Sequence, residues 1–125
     1  MPKLAADPDA VLARLRASCL SLPETGERLS HGSPAFDVAG KMFCYFWHNH
    51  HGDGLTAACV KVSGRDEQEL LIEADPDLYS WLPYLSPGGG WVGLCLADPE
   101  LDWDHVEARL LSSWRLAAPK RLAAI

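Results

Sequence analysis

The sequence has no run of about 18 consecutive apolar residues, so it predicts no transmembrane helix and no membrane partner. Its first ten residues, MPKLAADPDA, lack the apolar centre of a secretory signal, and we therefore expect a cytoplasmic location. Basic residues are also scarce, since 11 lysines and arginines oppose 17 acidic residues and leave a net charge of −6. A groove that follows phosphates usually needs a positive field, so the deficit argues against an extended nucleic-acid surface and leaves room only for a local patch.

Catalytic and redox motifs are missing as well. The four cysteines, at positions 19, 44, 59 and 95, have no C-x-x-C spacing, so we expect buried free thiols. There is no G-x-S-x-G nucleophile elbow, and the glycine run at 87–90 lacks the lysine and serine of a P-loop. Ser30, His31, Ser33 and Asp37 are neighbours in sequence, which rarely produces the geometry of a triad. The sequence thus offers no catalytic residue, and we expect no cofactor.

The residues that are present fit one small domain, 1–125, with its own core, because 48% of them are apolar. Asp7-Pro8 predicts the start of a helix that ends near Leu20, and Asp102 predicts the cap of a last helix that Pro119 ends. Between them the pattern predicts strands at 28–30, 35–38, 41–47, 55–62 and 91–96, and a helix at 65–74. This order indicates an α+β fold in which helices at the two ends of the chain pack on one face of an antiparallel sheet.

The strand predicted at 41–47 is apolar on both faces, which places it at the centre of the sheet or under cover on both sides. Strict alternation puts Met42, Cys44 and Phe46 on one face and Phe43, Tyr45 and Trp47 on the other. This strand and the one at 55–62 together form an antiparallel hairpin.

The loop of that hairpin, WHNHHGDG at 47–54, holds three of the five histidines in the chain. Gly52, Asp53 and Gly54 favour a turn, so we interpret the stretch as a hairpin connection of about six to eight residues. On an extended strand His48 and His50 would point the same way, and with Asp53 or His51 they would offer three zinc ligands. Zinc sites usually draw their ligands from separate elements, so a solvated loop tip is the preferred interpretation and no metal site is predicted.

Five segments, in this order and spacing, resemble the MmcQ/YjbR-like proteins. The segments are SHGSPAFDVAGKMFCYF, NHHGDGL, ADPDLY, PYLSPGGGWVGLCL and DWDHVEARLLSSWRLAAPKRLA. The resemblance implies a bacterial domain with a frataxin (CyaY)-like fold and DNA binding through a double-wing arrangement of hairpins, and it supplies no catalytic residues. Two departures weaken a phosphate contact here. Leu55 stands where the family often has an arginine after HHGDG, and PGGG at 87–90 replaces a more polar stretch.

Three functions stay open at this point. A DNA-binding module would use the hairpin at 41–62 as a wing, which requires Lys41, the loop tip and a basic group to share one face. A small-ligand or metal-binding protein, with or without catalysis, would need a pocket lined by Tyr84 and Trp91 on which the histidines converge. A protein-interaction domain would expose a large apolar patch. The candidate binding residues are Lys41, His48, Asn49, His50, His51, Tyr84, Arg115, Lys120 and Arg121.

Overall fold

A computed structural model describes residues 3–82 and 89–123, and in it the first and third α-helices begin after an aspartate whose side chain caps them. Helix α1 (Pro8–Leu20) follows Asp7, whose carboxylate accepts the backbone N–H of Ala10 at 3.1 Å. Helix α2 (Arg65–Ala74) begins after Gly64, and helix α3 (Trp103–Ala117) follows Asp102. Pro119 separates α3 from the short α4 (Lys120–Ala123). No helix within these residue ranges is long and apolar enough to cross a membrane.

The strands form an antiparallel sheet, and the described part of the chain contains six of them and four helices. They are β1 (Thr25–Ser30), β2 (Ser33–Val38), β3 (Lys41–His48), β4 (Thr56–Lys61), β5 (Tyr79–Ser80) and β6 (Trp91–Cys95). Their order across the sheet is β1-β2-β3-β4-β6-β5, so β3 is central, as its two apolar faces predicted. The two-residue β5 pairs with β6 and was not predicted.

One face of the sheet forms the core with the helices. Cys44 pairs with Val60 and Val60 pairs with Val92, so fully buried side chains lie side by side on β3, β4 and β6. Leu15 of α1 and Trp114 of α3 belong to the same buried cluster. Burying each large apolar side chain of this kind contributes roughly 1.5–3 kcal/mol. The predicted α+β fold, with the terminal helices on one face, is confirmed.

Phe43 departs from the strict alternation expected along β3. The register between β2 and β3 shifts between Phe36 and Asp37, where Phe36 pairs with Cys44 and Asp37 pairs with Met42. Phe43 is the extra residue of this β-bulge, and it is fully buried in the same cluster as Cys44. A bulge changes the direction in which a side chain points, so the prediction that Phe43 shares a face with Tyr45 and Trp47 was wrong.

Candidate functional site

The side of the sheet away from the helices carries the alternate set of side chains. Across β2, β3, β4 and β6, successive partners on this side are Ala35, Tyr45, Cys59 and Gly93. Trp47 lies two residues beyond Tyr45 on the same strand and therefore points the same way. Trp91 lies two residues before Gly93 and also shares the side. We call this surface, defined by Tyr45, Trp47, Cys59 and Trp91, the open face.

A pocket of about 590 Å³ lies on the open face. This volume falls in the range of small-molecule sites, which is about 300–1,000 Å³. The described residues that line it are Ser30, His31, Tyr45, Trp47, His50, His51, Cys59 and Trp91. We call it the open-face pocket. Its lining residues come from the turn between β1 and β2, from the hairpin loop and from strands β3, β4 and β6.

Aromatic rings form a large part of the pocket wall. The ring of Tyr45 lies with its centroid 5.2 Å from that of Trp91 in an edge-on arrangement, and 6.3 Å from that of Trp47. The imidazole of His50 stacks on Trp47, with centroids 5.1 Å apart and planes only 9° from parallel. Next to it is His51, whose ring centroid lies 4.2 Å from that of His50. The pocket is therefore bounded by flat faces and edges of rings, which suit planar ligands.

The hairpin loop, residues 49–55, places His50 and His51 at the pocket through a network of local hydrogen bonds. The Asn49 side chain accepts the N–H of Gly54 at 2.9 Å, and Asp53 accepts the N–H of Leu55 at 3.0 Å. His50 begins a short 3₁₀ turn, and His51 takes a left-handed conformation with φ of 52°. The seven-residue connection agrees with the predicted length. Asn49 and Asp53 shape the loop, and the two imidazoles reach the pocket.

His48 points elsewhere because it is still part of β3. Its Nδ1 lies 2.7 Å from the hydroxyl of Thr56, which also accepts the backbone N–H of Ala5 at 2.9 Å. Side chains alternate along a strand, so His48 projects on the same side of the sheet as Phe46, which is the side that faces the helices. The imidazole of His50 instead stacks on Trp47. The structure does not bring His48, His50 and Asp53 together. Among residues 3–82 and 89–123, no three metal-binding side chains form a cluster.

His31 reaches the pocket from the tight turn between β1 and β2. Ser30 pairs with Ser33, so only His31 and Gly32 connect the strands, and both have positive φ, 51° and 81°. Such two-residue turns favour Asn-Gly, because both positions lie in the left-handed region. Histidine occupies that region less readily than glycine. The turn nevertheless places an imidazole at the pocket edge.

Positive groups flank the open-face pocket, and none of its described lining residues is acidic. Arg28 pairs with Ala35, which in turn pairs with Tyr45, so Arg28 lies two strands from that ring. Burial raises the pKa of Tyr45, and the positive charge of Arg28 opposes this rise. On the other side, the Lys61 ammonium lies 5.2 Å from the centroid of the Trp91 ring. Two cations therefore flank the pocket, and its described lining residues include no carboxylate.

Cys59 lines the pocket, but it is not a reactive cysteine. It is 1% exposed, and burial raises the pKa of its thiol to about 12. Since the thiolate is the nucleophile, the thiol is unreactive near neutral pH. All four cysteines are buried free thiols, as the sequence predicted.

The basic candidate residues lie away from the hairpin tip. Lys41 begins β3 and His48 ends it, which separates them by roughly 23 Å at about 3.3 Å per residue. Arg121 forms a two-pronged ion pair with Glu24, at 2.5 and 2.9 Å. The carbonyl of Glu24 accepts the N–H of Ala39, in the turn just before Lys41. Arg121 therefore lies at the Lys41 end of the sheet.

Two other candidates are exposed on the C-terminal helices, and one lies outside the described residues. Arg115 is exposed near the end of α3, and Lys120 is exposed at the start of α4. Tyr84 lies outside the described residues. The structure therefore brings only His50 and His51, of the predicted binding residues it describes, to the open-face pocket.

A second depression, of about 290 Å³, lies near the start of α3. Its carboxylates come from Asp75, Asp98, Glu100 and Asp102. Three of these accept backbone N–H groups nearby. Asp75 accepts from Leu78 at 3.3 Å, Asp98 from Glu100 at 2.9 Å, and Asp102 from Asp104 at 3.0 Å. We call it the acidic pocket.

Sequence reasoning missed several lining residues of the open-face pocket as site residues. Tyr45 and Trp47 were assigned to a common face but not to a pocket, and Cys59 was treated only as a buried thiol. The register of the hairpin is the signal that would have found Cys59, because it is the cross-strand partner of Tyr45. Nothing local to Ser30 and His31 pointed to the pocket, because their turn is brought there by pairing of β2 with β3.

These features define a class: a small α+β domain with helices on one side of its sheet and an aromatic open face on the other. The YjbR family model matches residues 20–116, and the chain belongs to the YjbR family. Among solved structures, the chain is similar to Deinococcus radiodurans protein DR2400, whose crystal structure is described by its DUF419 domain. The two share 20% identity over 93% of this chain and 80% of that one, with a TM-score of 0.67, which shows a common fold. No curated protein matches the chain.

Proposed function

We propose that the protein is a binding module whose site is the open-face pocket, and that its ligand is a small molecule with a planar ring. The pocket itself carries this proposal, because the rings of Tyr45, Trp47 and Trp91 bound a volume of about 590 Å³. Stacking of a flat group on one aromatic side chain contributes roughly 1–3 kcal/mol. The Tyr45 hydroxyl and the imidazoles add polar groups that orient a ligand.

DNA binding through a hairpin wing, which the family resemblance implies, is less favoured by the arrangement of charge. A wing needs cations beside its tip to contact phosphates. Of the basic residues predicted to act with the wing, Lys41 lies at the far end of β3 from the tip, and Arg121 is paired with Glu24 at that same end. The net charge of −6 adds to the repulsion of a polyanion.

Catalysis and metal binding are not part of the proposal. The Cys59 thiol, whose pKa burial raises to about 12, is not a nucleophile at neutral pH. The ring of His48 is hydrogen-bonded to the hydroxyl of Thr56, and the Asp53 carboxylate accepts the N–H of Leu55 within the loop. Neither side chain therefore supports a metal centre with His50. A cytoplasmic location is part of the proposal. The four buried free thiols support it, because thiols persist in reducing compartments.

Two-dimensional ¹H–¹⁵N NMR of the indole N–H groups tests the pocket directly. The probes are 2-naphthoate, its neutral analogue 2-naphthamide and the cation 2-naphthylmethylammonium. We expect saturable shifts of the Trp47 and Trp91 indole signals with at least one probe. Trp114 is the internal control, since its indole donates to the Pro23 carbonyl at 3.0 Å in the core and should not move. Signals of Trp47 and Trp91 that stay fixed at millimolar concentrations of all three probes would overturn the proposal.

The same spectra test the wing hypothesis. A short DNA duplex and a matching single strand are added at roughly 50 mM salt, where phosphate contacts are strong. We expect no saturable shift of backbone signals in residues 49–55 at micromolar duplex. Saturable shifts confined to the loop and Lys41, with Trp91 unaffected, would favour the wing over the pocket.

A further inference from the structure

The charge around the open-face pocket identifies the class of ligand more closely than its rings do. Among the described lining residues the ionisable groups are three imidazoles, one phenol and one buried thiol, with no carboxylate. Aromatic cages that hold cations rely on ring faces and gain from nearby negative charge. Here Lys61 already lies over Trp91, so a second cation would be repelled.

Arg28 is the cation best placed to meet a charged group on the ligand. It alternates with Ser30 on β1, so both side chains project on the same side of the sheet, and Ser30 lines the pocket. Ala35 lies on the strand between Arg28 and Tyr45 and is fully buried. Its methyl side chain is too short to keep the side chains of Arg28 and Tyr45 apart. Neighbouring strands are about 4.8 Å apart, so an extended arginine side chain spans the distance to the edge of the Tyr45 ring.

Lys61 has a different role from Arg28. Its ammonium is held over Trp91 in a cation–π contact, at 5.2 Å from the ring centroid. That contact places fixed positive charge beside the pocket on the side opposite Arg28. A guanidinium presents a planar fork of donors, which matches a carboxylate or phosphate better than an ammonium does.

We infer that the ligand is a planar aromatic molecule that carries a carboxylate or phosphate, with its ring between Tyr45, Trp47 and Trp91 and its anion on Arg28 and the Ser30 hydroxyl. This inference rests on the proposed function. It extends that proposal by naming the charge of the ligand and the residue that recognises it.

The test measures dissociation constants for four naphthalene probes by the same NMR titration. They are 2-naphthoate, 2-naphthyl phosphate, neutral 2-naphthamide and 2-naphthylmethylammonium. We expect one of the two anions to bind about tenfold more tightly than the amide, and the ammonium to bind most weakly. The tighter of the two anions identifies the head group. Acetate and inorganic phosphate, which lack the ring, should leave the Trp47 and Trp91 signals unchanged.

Variants then assign the anion contact. Arg28→Gln should weaken the anionic probes by about threefold to tenfold and leave 2-naphthamide unchanged, because only the charge contact is lost. Arg28→Lys should recover part of the affinity. The matched control is Lys120→Gln, which removes an exposed cation from the helix side of the fold and should not change any of the constants.

Two sets of results would overturn the inference, and they are distinct. Equal affinity for the anions and the amide, or equal weakening of both by Arg28→Gln, would reject the anionic class while the pocket remained a ligand site. Failure of all four naphthalenes to move the Trp47 and Trp91 signals would reject the proposed function, and the inference with it.

Discussion

The open-face pocket and the acidic pocket differ in how their polar groups are used. In the acidic pocket, Asp102 accepts backbone N–H groups at the start of α3, and Asp98 does the same in the preceding turn. In the open-face pocket, the rings of Tyr45 and Trp91 contact each other across strands. No carboxylate is found among its described lining residues.

This difference separates residues that serve folding from residues that serve a ligand. A carboxylate that accepts N–H groups at a helix start satisfies donors that would otherwise have no partner, and this explains its presence. Half-buried tryptophans on the side of a sheet away from its helices leave apolar surface exposed to water, which folding alone does not favour. A cluster of acidic side chains is therefore weaker evidence for a site here than a cluster of rings.

Removal of a pocket ring should produce the largest effect on binding. Trp47→Ala should weaken 2-naphthoate by about tenfold to a hundredfold, since one stacking contact contributes roughly 1–3 kcal/mol. The matched control in the acidic pocket is Asp98→Asn, which keeps an oxygen acceptor and should leave the affinity unchanged. Titration calorimetry or the NMR titration measures both. Comparable losses in the two variants would remove the distinction between the pockets.

The thiol of Cys59 should make the protein less stable at alkaline pH. Burial raises its pKa in the folded state to about 12, above the value of about 8.5 in an unfolded chain. The stabilisation is therefore complete below about pH 8.5 and is lost as pH rises towards 12, because the unfolded chain releases this proton first. At pH 10 the loss from this thiol is roughly 2 kcal/mol.

Urea unfolding at pH 7.5 and pH 10, with a reducing agent present, measures that loss. Cys59→Ala should shrink the difference between the two pH values by roughly 2 kcal/mol relative to wild type. Val60→Ala, which removes a fully buried side chain without an ionisable group from the same strand, is the matched control and should retain the wild-type difference. An unchanged difference in Cys59→Ala would show that this thiol does not remain protonated in the folded protein.

Loss of the helix cap in the acidic pocket should affect stability and not binding. Asp102→Ala removes the acceptor for the N–H of Asp104 and should cost about 1 kcal/mol in the free energy of unfolding. Asp104→Ala, which lies in the first turn but is not the cap, should cost less. Denaturant unfolding provides the energies. A weaker affinity for 2-naphthoate in Asp102→Ala would contradict the assignment of this carboxylate to folding.

The smallest effect on stability is expected at the turn beside the open-face pocket. His31→Asn places at φ of 51° a residue that this two-residue turn prefers. The free energy of unfolding should change by less than about 0.5 kcal/mol, whereas the affinity for 2-naphthoate should fall because the imidazole is gone. Thermal unfolding and titration of one sample measure both. A large loss of stability would show that His31 serves the fold.

The sequence predicted well those features that depend on neighbouring residues. The helix starts followed from Asp7 and Asp102, because a cap acts within one turn. The two apolar faces of β3 predicted either a central strand or one covered on both sides, and the strand order shows the first of these. The family and its fold followed from several segments taken together, although no single segment was decisive.

Features that depend on pairing between distant strands were predicted less well. The two-residue β5 exists because it pairs with β6, and so short a stretch carries no periodic pattern of its own. Phe43 was placed on the wrong face because a bulge depends on how β2 meets β3. Of the loop histidines, His50 and His51 reached the pocket, while His48 turned to Thr56.

The sequence by itself determined which side chains could stack, which thiols would be buried and where the helices would begin, since each of these depends on residue type and local spacing. Only the tertiary structure decided that His31 and His50 would meet Trp91 around one pocket, and that Arg28 and Lys61 would flank it. Strand pairing joins residues that are far apart in the chain, and side chains that alternate along each strand acquire common neighbours only when the sheet has formed.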